Sequence, residues 1–324
     1  MRPTGPLHIG HFFGALSNWL ELQKQYESFF MVADLHALTS ADLTRLEIAQ
    51  HSRDMILDWL SVGIDPNKAT LFVQSSIPEH AELFLIFSNL TSMGWLERNP
   101  TYKEQRTALG EKLTGNLGFL SYPVLQTVDV CIYKGTKVPV GEDQKPHLEM
   151  GRELIRRFNT TFNTRIFPEF EALLTKSPKI PGLDGRKMSK SLGNFIALTD
   201  EPDTVTSKIN RMMTDVLRPR REDPGHPESC VLYQFHELFT PESKRAVIAS
   251  DCRNAKLSCG DDKKILAEIV NTWLQPIRKR RKEFEAAPDQ VDKIVKSGNE
   301  KARAIAQETL KEARSAVGFW PTKK

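Results

Sequence analysis

Two short motifs, far apart in the chain, carry residue types suited to binding phosphate groups. In the first, 6–11 (PLHIGH), His8 and His11 flank Gly10 at the predicted start of a helix. Backbone N–H groups at a helix start favour an anion, and imidazoles add donors for phosphate oxygens. The second, 185–191 (GRKMSKS), has two lysines and two serines in a glycine-flanked loop, which suits a mobile clamp on a leaving pyrophosphate. Alone, each motif also fits surface histidines or a solvated basic loop, but together they are far more specific.

Length and composition restrict the class of protein. The chain has 324 residues, with 45 Lys and Arg against 41 Asp and Glu, and a formal net charge of +4. Chains of this length usually form two domains, and the modest charge argues against a histone-like binder while it permits local basic patches. No apolar run approaches the roughly 18 residues that a membrane span needs. The first residues, MRPTGPLHIGH, lack the apolar stretch of a signal peptide. We therefore expect a soluble, cytoplasmic protein without membrane contact.

Hydrophobic patterning predicts an α/β fold with a doubly wound parallel sheet in the first region, 1–198. Short buried strands at 28–34 and 70–74 alternate with amphipathic helices. These helices are predicted at 12–25, 43–62 and 79–93. Such alternation implies parallel strands joined by right-handed crossovers.

The rest of the chain is predicted to become progressively helical. The polar stretch 99–118 is predicted to be a mobile connection, followed by a helix, a strand and a helix at 122–133, 137–140 and 143–158. Beyond Pro202 the strand pattern ends and charge rises, which predicts a mainly helical C-terminal domain over 199–324. Its helices are expected at 209–213, 263–277 and 299–317.

The sequence resembles a known family. HIGH near residue 10 and KMSKS near residue 190, on a parallel α/β domain, resemble the class I aminoacyl-tRNA synthetases. Four further segments are similar to the bacterial tryptophanyl-tRNA synthetases: 31–39 (MVADLHALT), 71–83 (LFVQSSIPEHAEL), 122–133 (YPVLQTVDVCIY) and 138–159 (VPVGEDQKPHLEMGRELIRRFN). The resemblance covers most of the first 200 residues and, more loosely, the helical remainder. It implies a Rossmann-like catalytic domain, a helical anticodon-binding domain whose last helix packs back on the catalytic domain, and a homodimer.

The resemblance assigns the amino-acid pocket to one face of the helix predicted at 122–133. Asp129 would accept the indole N–H, and such a buried acceptor discriminates strongly against an amino acid without that donor. Tyr122 and Gln126 share its helix face and would orient the α-amino and carboxylate groups. Alone, Asp129 would fit a surface acid and Tyr122 a core aromatic. The other expected tryptophan-binding residues are His36, Val138, Val140 and Gln144.

The resemblance also implies the reaction and its residues. The carboxylate of L-tryptophan would attack the α-phosphate of ATP, giving tryptophanyl-adenylate and pyrophosphate, before transfer to the 3′-terminal ribose of tRNA(Trp). Catalysis would rest on positioning and electrostatics with Mg²⁺. The expected catalytic residues are His8, His11, Lys187 and Lys190. The expected ATP-binding residues are Gly10, Gly141, Asp143, Lys187, Met188, Ser189, Lys190 and Ser191.

The segment before the first motif is shorter than the family pattern. The resemblance implies a parallel strand ending in Ser-Gly just before the equivalent of 1–5, but only ten residues precede His11 here. Proline and glycine prevent these residues from forming that strand: Pro3, Gly5, Pro6 and Gly10. We therefore expect a natural start upstream, or a truncation. In a chain that is truly this short, one wall of the active site would be missing.

Three cysteines in the helical region are a second departure. Cys230, Cys252 and Cys259 are followed by Asp262, a spacing that resembles a branch of the family with a four-cysteine iron–sulfur site. Asp262 stands where the fourth cysteine would fall. Three thiolates and a carboxylate could ligate a [4Fe-4S] cluster or Zn²⁺. The alternative is a vestigial site of reduced thiols.

Basic runs at 218–221 and 278–282 fit either solvated helix faces or contacts to RNA phosphates.

Three other functions are open to this sequence. A tyrosine-specific synthetase is the nearest, but VPVGEDQ and DLHALT favour tryptophan. A small HxGH nucleotidyltransferase would not need 200–324 or KMSKS. A non-catalytic RNA-binding paralogue would not need to keep both motifs.

Overall fold

The computed structural model describes residues 1–40, 47–174 and 180–320. The strands described are β1 (Ser28–Val32), β2 (Ala69–Val73), β3 (Lys137–Val140) and β4 (Glu171–Leu174). In the first region the helices are α1 (Ile9–His11), α2 (Ser17–Gln25), α3 (Asp34–Ser40), α4 (Ile48–Val62), α5 (Glu79–Ser88), α6 (Met93–Glu97), α7 (Pro100–Leu109), α8 (Glu111–Thr114), α9 (Leu117–Cys131) and α10 (Lys145–Thr161). A π-helical turn, Phe12–Leu16, joins α1 to α2, and 3₁₀ turns cover Gln74–Ser76 and Glu142–Gln144.

The second region is helical throughout its described elements. They are α11 (Pro202–Asn210), a 3₁₀ turn (Pro227–Ser229), α12 (Val231–Phe239), α13 (Glu242–Arg253), α14 (Cys259–Glu285) and α15 (Pro288–Val317). The predicted change from strand-and-helix to helix is therefore present. None of the described helices is long and apolar enough to cross a membrane.

The strands run parallel, as the alternation of strands and helices predicts. β1 pairs with β2 so that Phe30 lies opposite Leu71, and β3 pairs with β4 so that Val138 lies opposite Ala172. Within the described residues they form two separate two-stranded sheets. No strand forms over 1–7, but Met1 borders β1, since its carbonyl accepts the N–H of Ala33 at 2.8 Å.

Two apolar clusters cover the strands. One combines the helix at 9–25 and α4 with α11, α12 and α14, while the other combines α5, α9 and α10 with the second half of α15. α15 crosses β2 at Gly298, where an added Cβ would lie 1.9 Å from the carbonyl oxygen of Leu71. Only glycine allows this approach, so the last helix lies directly against the strands.

The stretch 99–118 is not the mobile connection that its polarity suggests. It forms α7 and α8, with only a glycine between them. Asn99 caps α7 by accepting the N–H of Thr101 at 3.0 Å, Pro100 takes the first turn, and Gly110 ends the helix at φ 80°. These are ordinary helix boundary signals. The charged residues between them prevented the prediction of a helix from hydrophobic patterning.

Several helix boundaries differ from the prediction. The helix expected at 79–93 ends at Ser88, and Met93 begins a separate helix. The helix expected at 209–213 instead covers Pro202–Asn210, because Pro202 suits a first turn. α4 begins at Ile48, and residues 43–46 of that predicted helix lie outside the described residues.

The basic run at 278–282 is turned largely into the protein rather than toward solvent. Arg280 donates to the carbonyl of Ser61 and Arg278 to the carbonyl of Asp200 at 2.7 Å, while Arg281 pairs with acids of α4. Through Arg280 and Arg281 the run therefore joins α14 to the first region. The three arginines are bonded within the protein and do not form a simple solvated face.

Candidate active site

The two motifs that are predicted to bind phosphate are neighbours in space. The N–H of Leu198 donates to Leu7 at 2.9 Å and the N–H of Ile9 donates to Ile196 at 3.1 Å, so the chain after the second motif pairs with the chain of the first. Lys190 also donates to the carbonyl of Gly5 at 2.8 Å. Residues more than 180 positions apart in the sequence are thereby in direct contact.

The histidines of the first motif are close-packed and uncharged. Their ring centroids are 3.7 Å apart, and the backbone N–H of His8 donates to Nδ1 of His11 at 3.1 Å. Burial, with the charge of Lys190, lowers the pKa of His8 to about 4, and burial beside His8 lowers the pKa of His11 to about 2. A Cβ at Gly10 would lie 2.9 Å from the His8 ring. Near neutral pH these imidazoles therefore offer hydrogen bonds rather than charge.

Asn194 organises the loop of the second motif. Its side chain is buried, accepts the N–H of Ser189 at 2.8 Å and donates to Asp184 at 2.7 Å. Ser189 and Ser191 share a hydroxyl hydrogen bond of 2.9 Å. Sequence reasoning did not select Asn194, although it follows the motif directly in the Leu-Gly-Asn sequence. Its role is to hold the loop that carries the lysines.

The two lysines of that loop occupy different environments. Lys187 is exposed, whereas Lys190 is half-buried beside Gly5. Burial lowers the pKa of the Lys190 ammonium to about 8, and the charge of Arg2 acts in the same direction against that of Asp58. Met188 is buried between them. Lys187 thus faces solvent, whereas Lys190 lies against the first motif.

The predicted pocket face of α9 is distinct from the rest of the helix. From Ser121 to Asp129, every residue is buried except Tyr122, Gln126 and Asp129. These three lie on one helix face, as their spacing predicts. They are therefore the positions from which this part of α9 can reach a ligand.

Asp129 sits at the centre of a network from three elements. His36 Nε2 lies 2.7 Å from Oδ2, while Gln74 Nε2 and His80 Nδ1 lie 2.7 and 2.9 Å from Oδ1. Burial alone would raise the pKa of this carboxyl, but His36 and His80 together lower it well below its usual range. Asp129 is therefore an ionised acceptor. Gln74 and His80 belong to the segment 71–83, but sequence reasoning gave neither a role.

Asp34 fixes the loops that bring this network together. It accepts the backbone N–H of Ser75 at 2.9 Å and also bonds the Ser75 hydroxyl. The chain after β1, which carries His36, is thus tied to the chain after β2, which carries Gln74. Both follow the carboxyl ends of parallel strands, where this class of fold binds ligands.

Tyr122 has its own buried support. Its hydroxyl lies 2.9 Å from Nε2 of His147, and Nδ1 of His147 lies 3.1 Å from the side-chain nitrogen of Asn99. Burial raises the pKa of Tyr122 to about 12, against the opposing charge of Arg2. The charge of Arg2 thus acts on both Tyr122 and Lys190.

The remaining predicted residues lie on and after β3. Val138 and Val140 are half-buried against the apolar cluster that includes α9 and α10. Gly141 precedes the 3₁₀ turn Glu142–Gln144, and its carbonyl accepts the N–H of Gln144 at 3.1 Å. Asp143 belongs to that turn, and its side chain lies outside the described residues.

The cysteine region does not form a ligand set. The described residues contain no group of three or more His, Cys, Asp or Glu side chains placed to hold a metal ion. Burial raises the pKa of the Cys230 and Cys252 thiols, and Asp262 already accepts from the buried His236, whose Nε2 is 3.0 Å away. These residues therefore do not fit an iron–sulfur cluster or zinc in this arrangement.

A separate cleft of about 520 Å³ opens between α4 and α15. Arg53, Asp292 and Asn299 are among its lining residues, and Arg53 and Asp292 pair with each other at 2.8 Å. It contains none of the predicted site residues, so the cleft takes no part in the site described here.

Comparisons with known proteins show the family to which the chain belongs. A family profile described as class I tRNA synthetases (W and Y) matches residues 1–275. The chain is similar to the tryptophan–tRNA ligases of Thermotoga maritima (46% identity over 323 residues) and Aquifex aeolicus (41% over 389 aligned positions), in each case covering 98% of both sequences. It also resembles the solved tryptophanyl-tRNA synthetase of Campylobacter jejuni in complex with ADP and tryptophan, with TM-score 0.89, 32% identity and 98% of both chains covered.

Proposed function

The chain belongs to the class I tRNA synthetases of the tryptophan and tyrosine group, and from this membership we propose that it activates L-tryptophan with ATP and transfers it to tRNA(Trp). The enzyme is a ligase. The family uses ATP together with Mg²⁺, which supplies charge neutralisation at the phosphates when bound.

The observation that supports a substrate side chain with a hydrogen-bond donor is the state of Asp129, while the choice of an indole over a phenol rests on the similarity to tryptophan–tRNA ligases. An ionised, enclosed carboxylate needs N–H or O–H donors, and three protein donors already approach it. An indole N–H is a fitting fourth donor. A side chain that lacks a donor would leave the charge incompletely satisfied, which is the strongest form of selection between similar substrates.

Tyr122 and Gln126, which share the face of α9 with Asp129, would orient the α-amino and carboxylate groups of tryptophan. His36 supports Asp129, while Val138, Val140 and Gln144 complete the proposed tryptophan site. Held in this way, the substrate carboxylate would attack the α-phosphate of ATP, and the bond to pyrophosphate would break. Positioning of this kind supplies much of the rate in phosphoryl and nucleotidyl transfer.

The nucleotide is assigned to the joined motifs. His8 and His11 would donate hydrogen bonds to phosphate oxygens, and Lys187 and Lys190 would neutralise charge on the leaving pyrophosphate. Gly10 leaves room for the backbone to approach. The other nucleotide contacts proposed are Gly141, Asp143, Met188, Ser189 and Ser191.

The proposal extends to partners and location. We divide the chain into a catalytic domain at 1–198 and an anticodon-binding domain at 199–324, and we place the enzyme in the cytoplasm, where tRNA is charged. A homodimer is proposed from family membership, and exposed apolar side chains on α5, α6 and the start of α9 support it. These are Leu85, Met93 and Leu117. No step of the reaction is assigned to the cysteine region.

The test is ATP–pyrophosphate exchange with Mg²⁺ and L-tryptophan, L-tyrosine or no amino acid, followed by charging of tRNA(Trp). Exchange that depends on tryptophan alone supports the proposal. Exchange with tyrosine would overturn the assignment of Asp129 to an indole. If neither amino acid gives exchange while the protein binds tRNA, the non-catalytic RNA-binding alternative would replace it.

A further inference from the structure

We propose that His80, held by Tyr133, is a positioning residue that fixes Asp129 to receive the indole N–H. This rests on the proposed function, because it concerns how the same pocket selects its amino acid. His80 is the second residue of α5 and is completely buried. It lies far from both phosphate-binding motifs in sequence, so neither motif could identify it.

The hydrogen bonds that the described residues make to Asp129 leave one acceptor position for a ligand. A carboxylate offers about four acceptor positions, two on each oxygen. Among the described residues, Oδ1 receives both Gln74 and His80, at 2.7 and 2.9 Å, whereas Oδ2 receives only His36, at 2.7 Å. His80 thus helps to occupy Oδ1 fully and directs the remaining acceptor position to Oδ2.

The proton positions follow from the chemistry of the neighbours. Because Asp129 is ionised it can only accept, so Nδ1 of His80 carries the proton that is donated to it. Nε2 of His80 lies 2.7 Å from the Tyr133 hydroxyl. Burial, with the charges of Asp129 and Glu79, raises the pKa of Tyr133, so this phenol keeps its proton. Tyr133 therefore donates to Nε2 and favours the tautomer of His80 that donates to Asp129.

Packing holds the hydrogen-bonded chain Tyr133–His80–Asp129, here called the relay, in one orientation. The Tyr133 ring stacks on Phe29 with centroids 5.4 Å apart and meets Phe72 edge-on at 5.2 Å. Both ring nitrogens of His80 are engaged, so the imidazole has no group left to contact tryptophan. It therefore acts only through Asp129.

Two amide substitutions separate this role from simple core packing. The side-chain nitrogen of His80→Asn falls near the position of Nδ1 and can still donate to Asp129. The side-chain nitrogen of His80→Gln falls near the position of Nε2. This variant therefore keeps a hydrogen-bonding group toward Tyr133 and loses the donor to Asp129. Both replace a buried ring with a buried amide, which makes each the matched control of the other.

The measurement is ATP–pyrophosphate exchange with L-tryptophan and with L-β-(3-benzothienyl)alanine, in which sulfur replaces the indole N–H. Losing a hydrogen bond to a charged acceptor predicts that His80→Gln lowers kcat/KM for tryptophan by about 10- to 100-fold, mainly through KM. The kcat/KM for the benzothienyl analogue should change little. The selectivity, which is the ratio of the two kcat/KM values, should therefore fall by the same factor. His80→Asn keeps a donor to Asp129, so the ratio of its kcat/KM values for tryptophan and the analogue should stay within about threefold of that of the unsubstituted enzyme, whatever its absolute rate.

A purely structural role gives a different pattern. If His80→Asn and His80→Gln lose activity equally on both substrates, or if both keep full selectivity, the relay is wrong. Should His80→Gln fail to fold, Tyr133→Phe provides the same test. It removes only the hydroxyl that selects the tautomer and should lower selectivity, whereas unchanged selectivity would also overturn the relay. Failure of the proposed function is separate, because the unsubstituted enzyme would then show no tryptophan-dependent exchange.

Discussion

Arg281 of α14 pairs with the buried carboxylate of Asp58 in α4, and this carboxylate also accepts the N–H of Leu7, the residue before His8 in the first motif. The distance from Leu7 N to Asp58 Oδ2 is 3.3 Å, and Asp58 is 1% exposed. Through the side chain of Asp58, a basic residue of the helical region is therefore linked to the backbone next to His8.

Replacing Arg281 by Met is expected to destabilise the protein by about 3–5 kcal/mol, because it leaves the buried charge of Asp58 without its main partner. Urea unfolding of Arg281→Met measures this loss. The exposed pair of Arg53 and Asp292 is the control, and Arg53→Met should cost less than about 1 kcal/mol. Equal losses in the two variants would show that Arg281 acts as a surface charge only.

Asp58→Asn should change the pH dependence of stability. Burial raises the pKa of the Asp58 carboxyl to about 6, from its ordinary 3.8. Between these values the folded state holds the proton and the unfolded state releases it, so this group contributes a loss of stability as pH rises. The unfolding free energy of Asp58→Asn minus that of the unsubstituted protein should therefore rise by about 2–3 kcal/mol from pH 4 to pH 7.

Two parallel curves across that range would contradict the assignment. Subtracting the unsubstituted protein at each pH removes the contribution of the other carboxyl groups, which are common to both. Arg281 keeps Asp54 and Glu285 as partners in this variant, so its charge remains compensated.

Spacing along the chain groups the parts of the site that lie on one helix, whereas contacts between elements were expected only where the family resemblance supplied them, as for His36. Tyr122, Gln126 and Asp129 could be grouped because one helix places them on one face. His80 and His147 could not, since they reach that face from α5 and α10. The same distinction explains the basic run at 278–282, because no pattern within α14 shows that it packs against acids of α4.

Gly298→Ala should test the contact between α15 and β2. The added Cβ would lie 1.9 Å from the Leu71 carbonyl, and backbone there can yield only if the helix moves away from the strand. We expect a loss of about 3 kcal/mol or more in unfolding free energy. Gly260→Ala in α14 is the control, since the nearest atom would be 3.9 Å away and alanine favours a helix. Similar stability of both variants would mean that α15 does not bear on β2.

The cysteine region gives a prediction about metal content. Protein purified without oxygen should contain well below one equivalent of iron or zinc, because Asp262 is committed to His236 and the Cys230 and Cys252 thiols hold their protons. Asp262→Cys supplies a fourth thiol and should take up iron and sulfide with visible absorption, whereas Asp262→Ser should not. Stoichiometric metal in the unsubstituted protein would show that Asp262 leaves His236 to become a ligand.

The two lysines of the second motif should differ in their effect on the pH profile. The pKa of Lys190 is lowered to about 8, chiefly by burial, so its positive charge is lost as pH rises through that value. Since kcat/KM reports the free enzyme, kcat/KM for ATP in the exchange reaction should fall above about pH 8. Lys190→Arg should lose this alkaline limb, because a guanidinium stays protonated there. Lys187→Arg, at the exposed lysine of the same loop, should keep the limb whatever its absolute rate. An alkaline limb that persists in Lys190→Arg would assign the titration to another group and remove Lys190 as the charge that meets ATP.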